Sequence, residues 1–126
     1  MMEKNYLKFD SIDAYNTAYS LSNYIWDIVI KWDNFAKFTV GKQLVESADS
    51  ISANVAEGFG RYHKKDKIKF YRYSNGSLLE SIDWINKSKH RGLISHEEFD
   101  TIRKLQEQLP LELNQLIKYT NIKLKY

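Results

Sequence analysis

The residues of this 126-residue chain from which chemistry could be built are few: His63, His90 and His96, the carboxylates Glu57 and Glu80, and no cysteine. No two histidines stand in HxxxH or HExxH spacing, so no helical face offers a zinc or hydrolytic ligand pair. The lack of cysteine excludes disulfides, thiolate nucleophiles and thiolate metal ligands. Glu57 and Glu80 would suit general acid–base work if they flanked a cleft at about 5–9 Å. A carboxylate metal bundle needs further Glu and paired Glu-x-x-His segments, which are missing. The simpler reading places Asn54, Glu57, Ser77 and Glu80 in a hydrogen-bonded polar layer that fixes helix register, with Arg61 beside Glu57. Gly58-Phe59-Gly60 has neither the preceding strand nor the third glycine of a dinucleotide turn, and no GxxxxGK[ST] loop occurs. No catalytic residue, metal or cofactor is expected, and the chain reads as a non-enzyme.

Charge points elsewhere. Lys and Arg outnumber Asp and Glu by only 19 to 16, a net +3, but their distribution is uneven. Arg61, Lys64, Lys65, Lys67, Lys69 and Arg72 fall in one short window opposed by Asp66 alone, with Tyr62, Phe70, Tyr71 and Tyr73 interleaved. Such a cluster can bind RNA or DNA through phosphates, with an exposed aromatic stacking on a base. It can equally be a solvated face. It matches no zinc finger, RNP, KH or zipper motif. Lys118, Lys123 and Lys125 form a smaller basic group.

The elements that must position these residues read as helices. One Pro and five Gly are few, which favours long helices over a turn-rich sheet protein. Apolar periodicity predicts helices near 11–33, 40–59, 66–91 and 96–118. Asp10 or Ser11 is expected to cap the first, whose inward stripe reads Ile12, Tyr15, Tyr19, Ser22, Ile25, Val29 and Trp32. The third reads Ile68, Tyr71, Asn75, Leu78, Ile82 and Ile85, near the 3.5 repeat of bundle packing. Ser95 and Glu98 form a capping box for the fourth, which Pro110 should kink or divide and which should fray from Thr120. Serines and alanines between Ser47 and Ala56 imply close helix approach. Short connections then give an all-α, antiparallel up-and-down four-helix bundle, a single domain over residues 1–126 with short flexible termini. Trp26, Ile28, Ile30, Phe35 and Phe38 exceed what one bundle can bury, so some should lie between subunits of a homo-oligomer. Met1 to Asp10 carries no secretory signal, and the most apolar stretch, Tyr24 to Ile30, is too short to span a bilayer. A cytoplasmic protein without a membrane partner is expected.

Asn54-Val55-Ala56-Glu57-Gly58-Phe59-Gly60-Arg61 resembles the N-[IV]-A-E-G-x-x-R hallmark of the bacterial four helix bundle family, also called the 23S ribosomal RNA intervening-sequence protein family. Gln43-Leu44 with Ala48, Ser50, Ile51 and Asn54 is similar to its Q-L-x-x-A-x-S-I-x-x-N segment, and Gly76-Ser77-Leu78-Leu79-Glu80 to its G-S-L-x-E segment. Order and spacing agree from about Tyr15 to Leu116. Val45 and Glu46 stand where the family often has an Arg pair, and Ala53 follows Ser52 where it often has Pro in S-I-P-x-N. The resemblance implies an up-down bundle assembled into a ring, with five subunits in relatives. It also implies kinship with the accessory protein of diversity-generating retroelements, which binds nucleic acid and another protein, a reverse transcriptase. The expected role is a homo-oligomeric module that binds nucleic acid weakly, or a scaffold that joins proteins without it.

Overall fold

The computed structural model describes residues 7–126, and the described residues form helices and no strands. The expected flexible N-terminal end, and part of the segment read for a secretory signal, fall on residues 1–6 and lie outside the described residues. Helix α1 spans Asp13–Val29, α2 Asn34–Ala36, α3 Lys42–Phe59, α4 Lys64–His90 and α5 His96–Lys123. The single turn α2 runs into α3 through a π-helical turn, Lys37–Gly41. Helix α1 packs on α3, α3 on α4, α4 on α5 and α5 on α1, which closes a four-helix bundle. Its antiparallel sense shows at the ends. Phe9, ahead of α1, packs on Phe59 at the end of α3 with ring centroids 5.3 Å apart. The Lys64 N–H, opening α4, donates to the carbonyl of Tyr126 beyond α5.

Local signals explain most helix limits. Ser95 Oγ accepts the Glu98 N–H at 3.0 Å, and the Glu98 carboxylate accepts the Ser95 N–H at 2.8 Å, so both orphan donors at the start of α5 are met. Gly92, at φ +73°, takes the left-handed conformation that stops α4. Other limits differ from expectation. Ile12 holds the N-cap position of α1 without a side-chain bond, because Ser11 Oγ donates to the Lys8 carbonyl in the preceding 3-10 turn. Helix α5 passes through Pro110, which is exposed, and reaches Lys123 rather than ending near Thr120. Its end is held by α4: Lys64 Nζ donates to the carbonyls of Asn121 and Leu124, each at 3.1 Å.

The inward row of α4 is Tyr71, Ser74, Leu78, Ser81, Ile85 and Ser88, not the row through Ile68, Asn75 and Ile82. Serines at alternate positions let α3 come close, and each hydroxyl is satisfied at low cost by a backbone carbonyl. Ser74 donates to Ile51, Ser81 to Leu78 and Ser88 to Trp84, all at 2.7 Å. Helix α3 answers with Ser47, Ala48 and Gly58. A Cβ on Gly58 would stand 2.7 Å from Tyr71 Cε1, so the Tyr71 ring occupies the space a side chain would take. The same preference for small inward residues turns α1. Ala14, Ala18 and Leu21 face the core, and Tyr19, expected inside, lies exposed.

Candidate functional site

The six cations of the window from Arg61 to Arg72 do unequal work. Lys67 Nζ donates to the Phe59 carbonyl at 2.6 Å, closing the end of α3, and lies 5.3 Å from the Phe59 ring centre. Burial lowers the pKa of this ammonium. Lys64 closes α5 as described. Both put positive charge where helix carbonyls are left unpaired. Arg61 pairs with Glu57 at 2.7 Å across one turn, both half-exposed, and its guanidinium sits 4.5 Å above the Phe70 ring. Lys65, Lys69 and Arg72 remain on the outer face of α4 without an ion pair among the described residues. Tyr62, 77% exposed, and Tyr73 flank them.

The expected polar layer is not formed within the chain. Asn54 Nδ2 donates along its own helix to the Ser50 carbonyl at 2.9 Å, Glu57 faces outward to Arg61, Ser77 is only partly buried and Glu80 is exposed. The register of α4 explains this, since Ser74 and Ser81 occupy the inward row and turn Ser77 and Glu80 away. The buried polar group lies elsewhere. Gln106, wholly buried on α5, donates from Nε2 to Ser81 Oγ at 3.2 Å and accepts from Arg103 at 2.8 Å. A polar residue in the row Ile102, Leu109, Leu113 was the signal for it, and the apolar periodicity passed over Gln106. Glu57 and Glu80 are both exposed, and among the described residues no group of three or more His, Asp or Glu could hold a metal ion. No described helix is long and apolar enough to cross a membrane.

At the opposite end the apolar surplus separates. Ile28 is buried in the chain's own core, because α1 turns it toward Ala18, Leu21 and Ile25. Trp26, Ile30, Phe35 and Phe38 stay 51%, 45%, 80% and 67% exposed. Asp33 Oδ1 accepts the Ala36 N–H at 3.1 Å, restarting the helix and burying Ala36 and Val40 while Phe35 and Phe38 face outward. Two surface hollows adjoin them. One, of about 400 Å³, is lined by Trp26, Ile30, Phe38 and Val45, with Lys37, Lys42 and Glu46 also lining it. The other, of about 650 Å³, lies among Phe35, Val40, Trp84, Arg91 and Leu93.

Gly58 under Tyr71, Glu57 on Arg61 and Asn54 on Ser50 give structural work to the Asn54–Arg61 segment. The family model for the 23S rRNA-intervening sequence protein matches residues 10–115. The chain belongs to that family. A solved structure similar in fold comes from Bacteroides thetaiotaomicron, a protein of unknown function from the S23 ribosomal protein family. It shares 19% identity at a TM-score of 0.76, over 83% of this chain and 98% of the other. No curated protein matches the chain. The likeness to that solved structure agrees with the four-helix bundle fold.

Proposed function

We propose that the chain is a non-catalytic subunit of a homo-oligomer whose basic end holds nucleic acid by its phosphates, weakly and without strong sequence preference. One observation carries this reading. Lys65, Lys69 and Arg72 stand at four- and three-residue spacing on the outer face of α4, exposed and without an ion pair among the described residues, beside exposed Tyr62. Cations on flexible stems neutralise phosphates without reading base edges. A base stacked on Tyr62 would add roughly 1–3 kcal/mol. The exposed Trp26, Ile30, Phe35 and Phe38 support self-association, and an oligomer repeats the basic end so that weak contacts act together on one strand.

Fluorescence titration with single- and double-stranded DNA and RNA at several salt concentrations tests it. Binding weakens steeply as salt rises and is lost when Lys65, Lys69 and Arg72 are all changed to Glu. Lys64 and Lys67 are left intact because they hold helix ends. No binding at low salt would leave the scaffold reading, in which the oligomer joins proteins through its apolar end. A clean monomer near 14.9 kDa in sedimentation equilibrium at micromolar protein would remove self-association.

A further inference from the structure

Gly76 lies in the middle of the 27-residue helix α4, on its outer face. Glycine is the poorest helix former after proline, and a buried glycine repays this by admitting a neighbour, as Gly58 admits Tyr71. Gly76 admits nothing of this chain: a Cβ there would have no atom within 4 Å. Its flanks are Tyr73 and Leu79, both exposed, so the missing side chain leaves a notch between two apolar shoulders. One turn beyond the notch, Glu80 is exposed and has no hydrogen bond or ion pair among the described residues. On α1 the chain carries the converse shape. Trp26, its largest side chain type, projects half-exposed from a row with Tyr19 and Ile30, and Lys37 lines the hollow beside it.

We propose that the notch at Gly76 receives Trp26 of a second copy of this chain, with Glu80 facing that copy's Lys37. The inference rests on self-association and names its contact. A large apolar side chain meets a position without one and a lone carboxylate meets an ammonium; Lys65 and Lys69 stay clear of the contact, two turns or more before the notch, while Arg72, one turn before Gly76, borders it. The two surfaces lie on different helices, so the contact is heterologous. Each copy then offers both a notch and a tryptophan, and the arrangement closes into a ring if the rotation allows.

The test is sedimentation equilibrium at micromolar protein on the wild type, Gly76→Phe, Trp26→Ser and Gly76→Ala, with circular dichroism on each. The wild type associates, while Gly76→Phe and Trp26→Ser remain helical and sediment as single chains. An equimolar mixture of those two variants forms a two-chain species and nothing larger, because only one intact notch and one intact tryptophan can meet. Gly76→Ala moves two readouts in opposite directions, raising the melting temperature of the dissociated chain and weakening association. Glu80→Lys weakens association, and combining it with Lys37→Glu restores it. A Gly76→Phe protein that assembles like the wild type overturns the inference while self-association stands. If that variant assembles but no longer binds nucleic acid, the notch belongs to the nucleic acid and the inference is likewise overturned. A monomeric wild type removes both the inference and the reading beneath it.

Discussion

At the α3–α4 end, Lys64 and Lys67 turn inward to the carbonyls that close α5 and α3, and Arg61 is held by Glu57 and Phe70. At the α1–α3 end, Phe35 and Phe38 turn outward, and Ile28 alone of the apolar surplus is absorbed by the core. A cation at the close of a helix finds unpaired carbonyls within reach, so a bundle consumes part of its own basic clusters. An apolar side chain beyond the inward stripe has no such outlet within the chain and stays on the surface. A count of charges along the sequence therefore overstates a binding surface. A count of apolar residues outside the stripe comes closer to what is left exposed.

The largest effect expected is at the basic end, beneath the charges. Tyr71→Ala empties the space over Gly58 and should cost about 3–5 kcal/mol, the usual range for a buried aromatic. Gly58→Ala should cost less, about 1–3 kcal/mol, as an added methyl meets the Tyr71 ring. Urea midpoints measure both. If Gly58→Ala raises stability, the seam is looser than the 2.7 Å approach indicates. Tyr71 also titrates late. Burial pushes its phenol up to about 12, against the opposing pull of the Thr120 hydrogen bond, so absorbance should show one tyrosine ionising well after the exposed ones.

Smaller in energy, and sharper as a comparison, is Lys67→Met against Lys65→Met. The first removes a charged donor from the Phe59 carbonyl and should cost about 1 kcal/mol. The second removes an exposed charge and should stay within about 0.5 kcal/mol. Nucleic-acid affinity should fall with Lys65→Met more than with Lys67→Met, so the two readouts rank the residues in opposite order. Equal rankings would mean that the division of labour within the cluster is absent.

Fold and site were unequally legible. The capping box at Ser95, the stop at Gly92 and the apolar rows of α3 and α5 made the helices readable, since each signal acts within a turn or two of itself. The face of α4 was misread because Ser74, Ser81 and Ser88 are polar by type yet buried by contact. What selects them is the closeness of α3, a tertiary fact that leaves no local mark. The same holds for Lys67. Its partner, the Phe59 carbonyl, lies nearby in sequence, but whether a side chain turns outward or folds back depends on the helix it lies against; the Glu57–Arg61 pair, one turn apart, was readable.

At the apolar end, Phe35→Ser and Phe38→Ser should shift the stability of the dissociated chain by no more than about 0.5 kcal/mol, as expected of exposed positions. They should weaken self-association if the residues lie between subunits. Melting at nanomolar and micromolar protein separates the effects. A loss of stability at both concentrations would show that the two rings support their own chain.

The smallest effect returns to the basic end and to its one acid out of place. Glu112 on α5 has Oε1 removed from water with no hydrogen-bond partner, although the side chain as a whole is partly exposed. Burial raises its pKa, the Thr17 hydrogen bond opposes that shift, and the charge of Asp13 adds to it. The folded chain therefore binds a proton here more tightly than the unfolded chain does, and this contribution to stability falls as pH rises from the unfolded value through the folded one. Glu112→Gln keeps the shape and removes the ionisation. The variant should match the wild type in acid, gain on it as pH rises through that window, and hold a constant lead above it. Urea midpoints of the two proteins from acid to neutral pH, taken as a difference, cancel the other titrating groups. A difference that stays flat would mean the carboxyl is hydrated in solution. A difference of opposite sign would mean that ionised Glu112 has a cationic partner in solution.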